Sequence, residues 1–144
     1  MLIDLIQQSL RDSGLDGWLF FDHHRRDPLA YRILGIPDSV SATRRWYYFV
    51  PSSGEPRKLV HRIESEALDS LPGIKATYAS WAAQQDRLKA LLTGADKIAM
   101  EYSPNCAIPY VSLIDGGTLE LVRACGVTVV SSADLVQEFE ALWT

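Results

Sequence analysis

Asp22, His23, His24, Arg25, Arg26 and Asp27 place two carboxylates, two imidazoles and two guanidiniums in six consecutive positions. Guanidiniums grip carboxylates through paired N–H donors, and imidazoles titrate near neutral pH. Arg44-Arg45-Trp46 adds two more cations and an indole that offers an apolar wall or a cation–π face. Together these residues suit a small acidic ligand, a peptide or a partner subunit; a solvated charged loop accounts for them as well. His23 and His24 are adjacent, so in an extended chain their rings point to opposite sides. Sharing a metal between one of them, His61 and Asp22 is neither forbidden nor specified by the spacing. Glu101, in Glu101-Tyr102-Ser103, has no acid or base beside it in sequence, which fits a capping or network role as readily as proton transfer. Cys106 and Cys125 have no second pair to complete a zinc site and read as small buried or half-buried thiols. The chain contains no Gly-x-Ser-x-Gly elbow, no His-Glu-x-x-His and no glycine-rich phosphate loop. The residues alone assemble no nucleophile, base and oxyanion donor.

The whole chain sets further bounds. Its 144 residues suffice for one domain, and 47% apolar with 22% charged residues is an ordinary globular balance. Fourteen Lys and Arg against eighteen Asp and Glu give a net charge of −4, which opposes nonspecific binding to nucleic acid. No apolar run reaches the ~20 residues that span a bilayer. The first residues lack the charged start, apolar stretch and small-residue cleavage site of a signal peptide, so a cytoplasmic location without a membrane partner is expected.

The elements that must position these residues follow from period and punctuation. Leu2, Ile6 and Leu10 mark an amphipathic helix over 2–13, with Gly14 as its stop. Residues 17–21 form a continuous apolar run suited to a strand buried on both faces. Asp27 before Pro28 reads as a helix N-cap, and Gly35 as that helix's end. The aromatic stretch 44–50 and residues 57–61, split by Pro51-Ser52-Ser53-Gly54, predict an antiparallel hairpin. A short helix is expected over 64–71 and a strand over 74–78. A helix capped by Ser80 follows over 81–93, with Trp81, Leu88, Leu91 and Leu92 on its apolar face. Residues 97–101 form another strand, 103–114 an irregular segment and Asp115-Gly116-Gly117 a turn. Thr118 caps a helix to Cys125, 127–130 is a strand, and Ser131 with Asp134 forms a capping box for the last helix. Alternating strands and helices imply an α/β fold: a mixed, mainly parallel sheet covered by helices on both faces, with one antiparallel hairpin. The last helix carries Leu135, Val136, Phe139, Leu142 and Trp143 on one face, and the chain stops at Thr144 beneath that stripe, as at a domain boundary.

The segments, taken in order, carry a resemblance. They are residues 14–20 at the first strand, 28–35 in the next helix, Thr43-Arg44-Arg45-Trp46-Tyr47 at the hairpin, and Gly54-Glu55-Pro56 with Leu59-Val60-His61-Arg62-Ile63-Glu64. Ala99-Met100-Glu101-Tyr102-Ser103-Pro104, Ile108-Pro109-Tyr110-Val111-Ser112, Gly126-Val127 and residues 131–137 complete them. In this order the chain resembles the N-terminal domain of the creatinase/prolidase/aminopeptidase P family, the pita-bread metallopeptidases. It looks most like bacterial Xaa-Pro aminopeptidases and dipeptidases. The resemblance implies that residues 1–144 form that domain, with its ribonuclease H-like motif. It also implies a catalytic domain after residue 144, in which Asp, Asp, His, Glu and Glu hold two divalent ions (Mn, Co or Zn). The parent would then hydrolyse the peptide bond preceding proline, while this segment holds no metal or cofactor and is inactive alone. Implied partners are the chain's own C-terminal catalytic domain, a second copy in a homodimer, and a peptide substrate. His23, His24, Arg25, Arg26, Arg45 and Trp46 become candidates for gating substrate across the dimer. One departure stands out: His23-His24-Arg25-Arg26-Asp27 replaces a Phe-Arg-Gly-Ser-Asn-like stretch usual in that branch. The alternatives are a stand-alone module binding a small anion or a protein, and a family member without peptidase activity.

Overall fold

The computed structural model describes residues 2–141, so the expectations for Leu142 and Trp143 lie outside the described residues. Helix α1 (Leu2–Asp12) leads into strand β1 (Gly17–Asp22), then α2 (Pro28–Leu34), β2 (Trp46–Pro51) and β3 (Arg57–His61). Strand β4 (Ile74–Tyr78), helix α3 (Trp81–Leu91), β5 (Lys97–Met100), α4 (Gly116–Arg123), β6 (Thr128–Ser131) and α5 (Ala133–Ala141) follow. The six strands form one sheet in the order β4-β3-β2-β1-β5-β6. Strand β2 alone runs against the rest, antiparallel to β1 and to β3; the other three pairings are parallel.

Alternation along the central strands splits the core in two. Trp18, Phe20, Trp46, Tyr48 and Val50 face α1, α2 and α5. Leu19, Tyr47, Phe49, Ile98 and Met100 face α3 and α4. Burial of both faces is why β1 and β2 read as unbroken apolar runs. Helix α2 starts as its sequence demands: Asp27 Oδ1 accepts from the Ala30 N–H at 3.2 Å, and Gly35 closes the helix at φ 66°, ψ 35°.

Four local expectations are corrected. Residues 62–64 form a single 3-10 turn, and the chain to Leu71 continues in i→i−3 bonds (Ala67 to Glu64, Asp69 to Glu66, Leu71 to Leu68), so no α-helix forms there. Apolar Ala67, Leu68 and Leu71 satisfy a tight turn as well as a helix face, and Pro72 allows no further turn. Helix α4 begins at Gly116, because Asp115 accepts from the Thr118 N–H at 2.9 Å and its hydroxyl at 2.8 Å; Asp115, not Thr118, is the cap. Ser131 remains in β6, where its Oγ accepts from the Ala133 N–H at 3.1 Å, so the capping box expected with Asp134 does not form. Trp81 does not join the apolar face of α3; it is 55% exposed.

Candidate functional site

The carboxyl ends of β1, β3 and β4, and the start of β2, lie along one edge of the sheet. This is where loops of open α/β sheets gather ligand contacts. A cleft of about 390 Å³ opens there, between the loop after β1 and the turn into α3. His23, His24, Arg44, Arg45, His61 and Trp81 line it, over a floor that includes Tyr78 and Gln84.

The loop after β1 reaches the cleft through left-handed backbone at two consecutive non-glycine residues, His24 (φ 56°) and Arg25 (φ 51°). That conformation costs on the order of 1–2 kcal/mol per residue and must be held by contacts. The His24 N–H donates to Ala42 O at 2.6 Å, and the Arg26 N–H donates to Asp22 Oδ2 at 3.1 Å. Arg25 sends one guanidinium nitrogen to both Pro37 O and Val40 O at 2.7 Å, while its plane lies 4.5 Å over the Tyr31 ring. The same backbone reverses the expectation for the two histidines. Their Nδ1 atoms stand 2.7 Å apart, so one ring's N–H points at the other's lone pair and at least one ring is neutral. Burial first, then the neighbouring His24 ring and the Arg26 and Arg45 guanidiniums, holds His23 below the ordinary imidazole value.

Across the cleft, His61 Nδ1 accepts from the Ile63 N–H at 3.0 Å, which leaves Nε2 to carry the ring proton. Among the described residues, the guanidiniums of Arg44 and Arg45 are ion-paired with no carboxylate. Arg45 lies 5.5 Å from the Trp81 ring centre, and its carbonyl accepts from Tyr78 O–H at 2.6 Å. Glu64 fastens the irregular segment that carries these arginines into β2. Its carboxylate accepts from Ser41 Oγ (2.9 Å), Thr43 N (3.1 Å), Thr43 Oγ1 (2.8 Å) and Arg44 N (2.6 Å). The result is a cleft with two guanidiniums, an aromatic wall and imidazoles on both sides, suited to an anionic group attached to an apolar one.

Of the residues singled out in the sequence, His23, His24, Arg44, Arg45 and His61 meet in this cleft. Arg25 is spent on the neighbouring loop. Arg26 is exposed and reaches only His23 Nε2, at 3.5 Å. Trp46 is 1% exposed and donates its indole N–H to Tyr31 Oη at 3.0 Å, so the aromatic wall is Trp81 instead. His61, Trp81 and Gln84 were not among the gating candidates. The signal that finds them is their position at strand ends and at the first turn of α3. Among the described residues no group of three or more His, Cys, Asp or Glu side chains is arranged to hold a metal.

No protein-family model and no curated protein matches the chain. Solved structures do. A proline dipeptidase from Streptococcus pneumoniae superposes with a TM-score of 0.72 at 15% identity, over 97% of each chain. The creatinase/prolidase N-terminal domain of an Xaa-Pro dipeptidase from Streptococcus pyogenes gives 0.70 at 16%, over 94% of this chain and 96% of that one. The prolidase from Pyrococcus horikoshii gives 0.65 at 14%, covering 95% of this chain but 34% of the larger one, so the present chain spans about a third of that enzyme. Its sheet order, its single reversed strand and its two helical layers give the chain the fold of the creatinase/prolidase N-terminal domain.

Proposed function

We propose that the chain is the non-catalytic N-terminal domain of an Xaa-Pro metallopeptidase, which hydrolyses the peptide bond preceding proline. In this reading it acts in the cytoplasm, supports a homodimer and gates substrate at the active site of a C-terminal catalytic domain. One observation carries the reading: the likeness extends over nearly the whole of N-terminal domains taken from Xaa-Pro dipeptidases. The two divalent ions would be held by that further domain, where they supply an activated water. The contribution of the present residues is to bind and orient. Arg44 and Arg45 would hold a carboxylate, Trp81 would pack against an apolar side chain, and His61 would donate from Nε2.

The test extends the reading frame beyond Thr144 and assays the full-length protein on Xaa-Pro peptides with Mn²⁺, Co²⁺ or Zn²⁺. Hydrolysis is expected. Arg45→Ala should raise KM roughly 5–10-fold and leave kcat little changed, as loss of uniform binding does. No turnover with any of the metals would remove the peptidase reading. The unpaired guanidiniums favour one second reading, a stand-alone module for a small anion. A stop codon after Thr144, with N-acetylproline shifting the NMR signals of Arg45, His61 and Trp81 in the chain itself, would establish it.

A further inference from the structure

Beneath the cleft, three carboxyl groups from different elements converge in the core. Asp22 ends β1, Asp27 precedes α2, and Glu101 follows β5; they are 3%, 5% and 5% exposed. Their surroundings differ in one respect. Asp22 is served by the Arg26 N–H and by the Tyr31 hydroxyl. Asp27 is served by the Ala30 and Leu29 N–H groups at the start of α2. Neither oxygen of Glu101 is accessible to solvent or meets any N–H or O–H donor. Asp27 and Glu101 share a cavity of only about 10 Å³, walled otherwise by Leu19, Phe20, Phe21, Met100 and Ile114. Among the described residues, the charges felt by Glu101 are those of Asp27, from the loop before α2, and Asp22, from β1, and no cation.

An ionised carboxylate without donors in such a place costs several kcal/mol, and three together cost more. A protonated Glu101 removes that cost, because it becomes a donor and Asp27, already fixed by backbone N–H groups, becomes its acceptor. We propose that Asp27 and Glu101 share one proton at neutral pH as an acid–carboxylate pair, and that this pair fastens the base of the 22–27 loop to the end of β5 in a proton-dependent way. The inference is independent of the peptidase reading. Burial first, then the hydrogen bond to Asp27 and the charges of Asp27 and Asp22, lifts Glu101 well above the ordinary carboxylic range, in keeping with the geometry. The sign follows. A carboxyl with a raised pKa in the folded state stabilises the fold at low pH, and that contribution is lost as pH rises through the folded value. Ionisation then sets Glu101 against Asp27 and Asp22, and the strained His24-Arg25 turn above them loses its footing.

The experiment uses the 144-residue chain. Carbon-13 NMR of the side-chain carboxyls should find Glu101 protonated at pH 7, and the infrared spectrum should show a protonated-acid carbonyl band that disappears in Glu101→Gln. Glutamine keeps a donor toward Asp27 without a titrating proton. The parent's melting temperature should therefore fall by several degrees relative to that of Glu101→Gln as pH rises from the ordinary carboxylic range through neutrality. The protection of the His24 and Arg26 amides, after correction for the intrinsic rise of exchange with pH, should fall over the same range in the parent only. An ionised Glu101 at pH 7, whether hydrated or holding a cation, overturns the proposal, as does an acid band that survives in Glu101→Gln. Should that variant fail to fold, the Glu101 carbon-13 titration of the parent decides alone.

Discussion

At the scale of single residues, the cleft depends on side chains that never line it as ligand groups. Glu64 gathers four donors from Ser41, Thr43 and Arg44 onto one carboxylate. Burial works against its charge, but the Arg44 and Thr43 donors outweigh it and hold Glu64 below the ordinary carboxylate range. A depressed pKa contributes stability above the unfolded value and loses it as pH falls through the folded one. Glu64→Ala should therefore cost about 1 kcal/mol, the lower end for bonds to a charged group because the site is partly open to water. The same variant should release the Thr43 and Arg44 amides to exchange while core strand amides stay protected. Unchanged exchange at those two amides would show that Glu64 does not hold the loop. Little of this was legible in the sequence, where Glu64 reads as the first residue of a helix. Its role arises from a 3-10 turn that aims the carboxylate back across the sheet edge. The imidazole pair was hidden for a related reason. Left-handed backbone at His24 and Arg25 is rarely adopted without glycine, so adjacency alone gives the wrong directions for the two rings.

At the scale of elements, the sequence was most readable where one local rule acted alone. The Asp27-Pro28 start and Gly35 stop of α2, the hairpin around residues 51–56, and the doubly buried β1 all follow from punctuation and period. It was least readable where pairing brought distant ends together. His61 and Trp81 enter the cleft only because β3 and β4 continue the sheet beyond β2, a consequence of order rather than of any local pattern. The burial of Asp22 was hidden for the same reason, since a polar stretch after a strand looks solvated until α2 folds back over it. Central placement of β1 also sets a steric demand at its first residue. A Cβ on Gly17 would stand 2.3 Å from two ring carbons of Phe49, itself 1% exposed. Gly17→Ala should destabilise the fold by about 1–3 kcal/mol, as overpacking does, seen as a lower urea midpoint with an unchanged slope. An unaltered midpoint would mean that the ring moves freely and that β1 and β2 are less tightly packed than described.

At the scale of the molecule, a sheet lined with tyrosines and covered on both faces makes alkaline stability a collective property. Tyr47 O–H donates to Gln84 Oε1 at 2.6 Å, Tyr48 O–H to Pro72 O at 2.7 Å and Tyr78 O–H to Arg45 O at 2.6 Å, while Tyr31 serves Asp22. Each of these phenols acts as a donor, which only its neutral form can do. Burial above all pushes Tyr78 up to about 12 and Tyr31, Tyr47 and Tyr48 higher still, against roughly 10 in an unfolded chain. Above that unfolded value the unfolded chain releases protons that the native state retains, so stability falls as pH rises further, with four groups acting together. The expected outcome is a single steep alkaline transition, in which tyrosinate absorbance and loss of far-ultraviolet circular dichroism coincide. Gradual ionisation of all the tyrosines near their ordinary value, with the circular dichroism intact, would contradict it, because phenols that titrate freely cannot be the donors that tie β2 to Pro72 and Gln84 and β4 to Arg45.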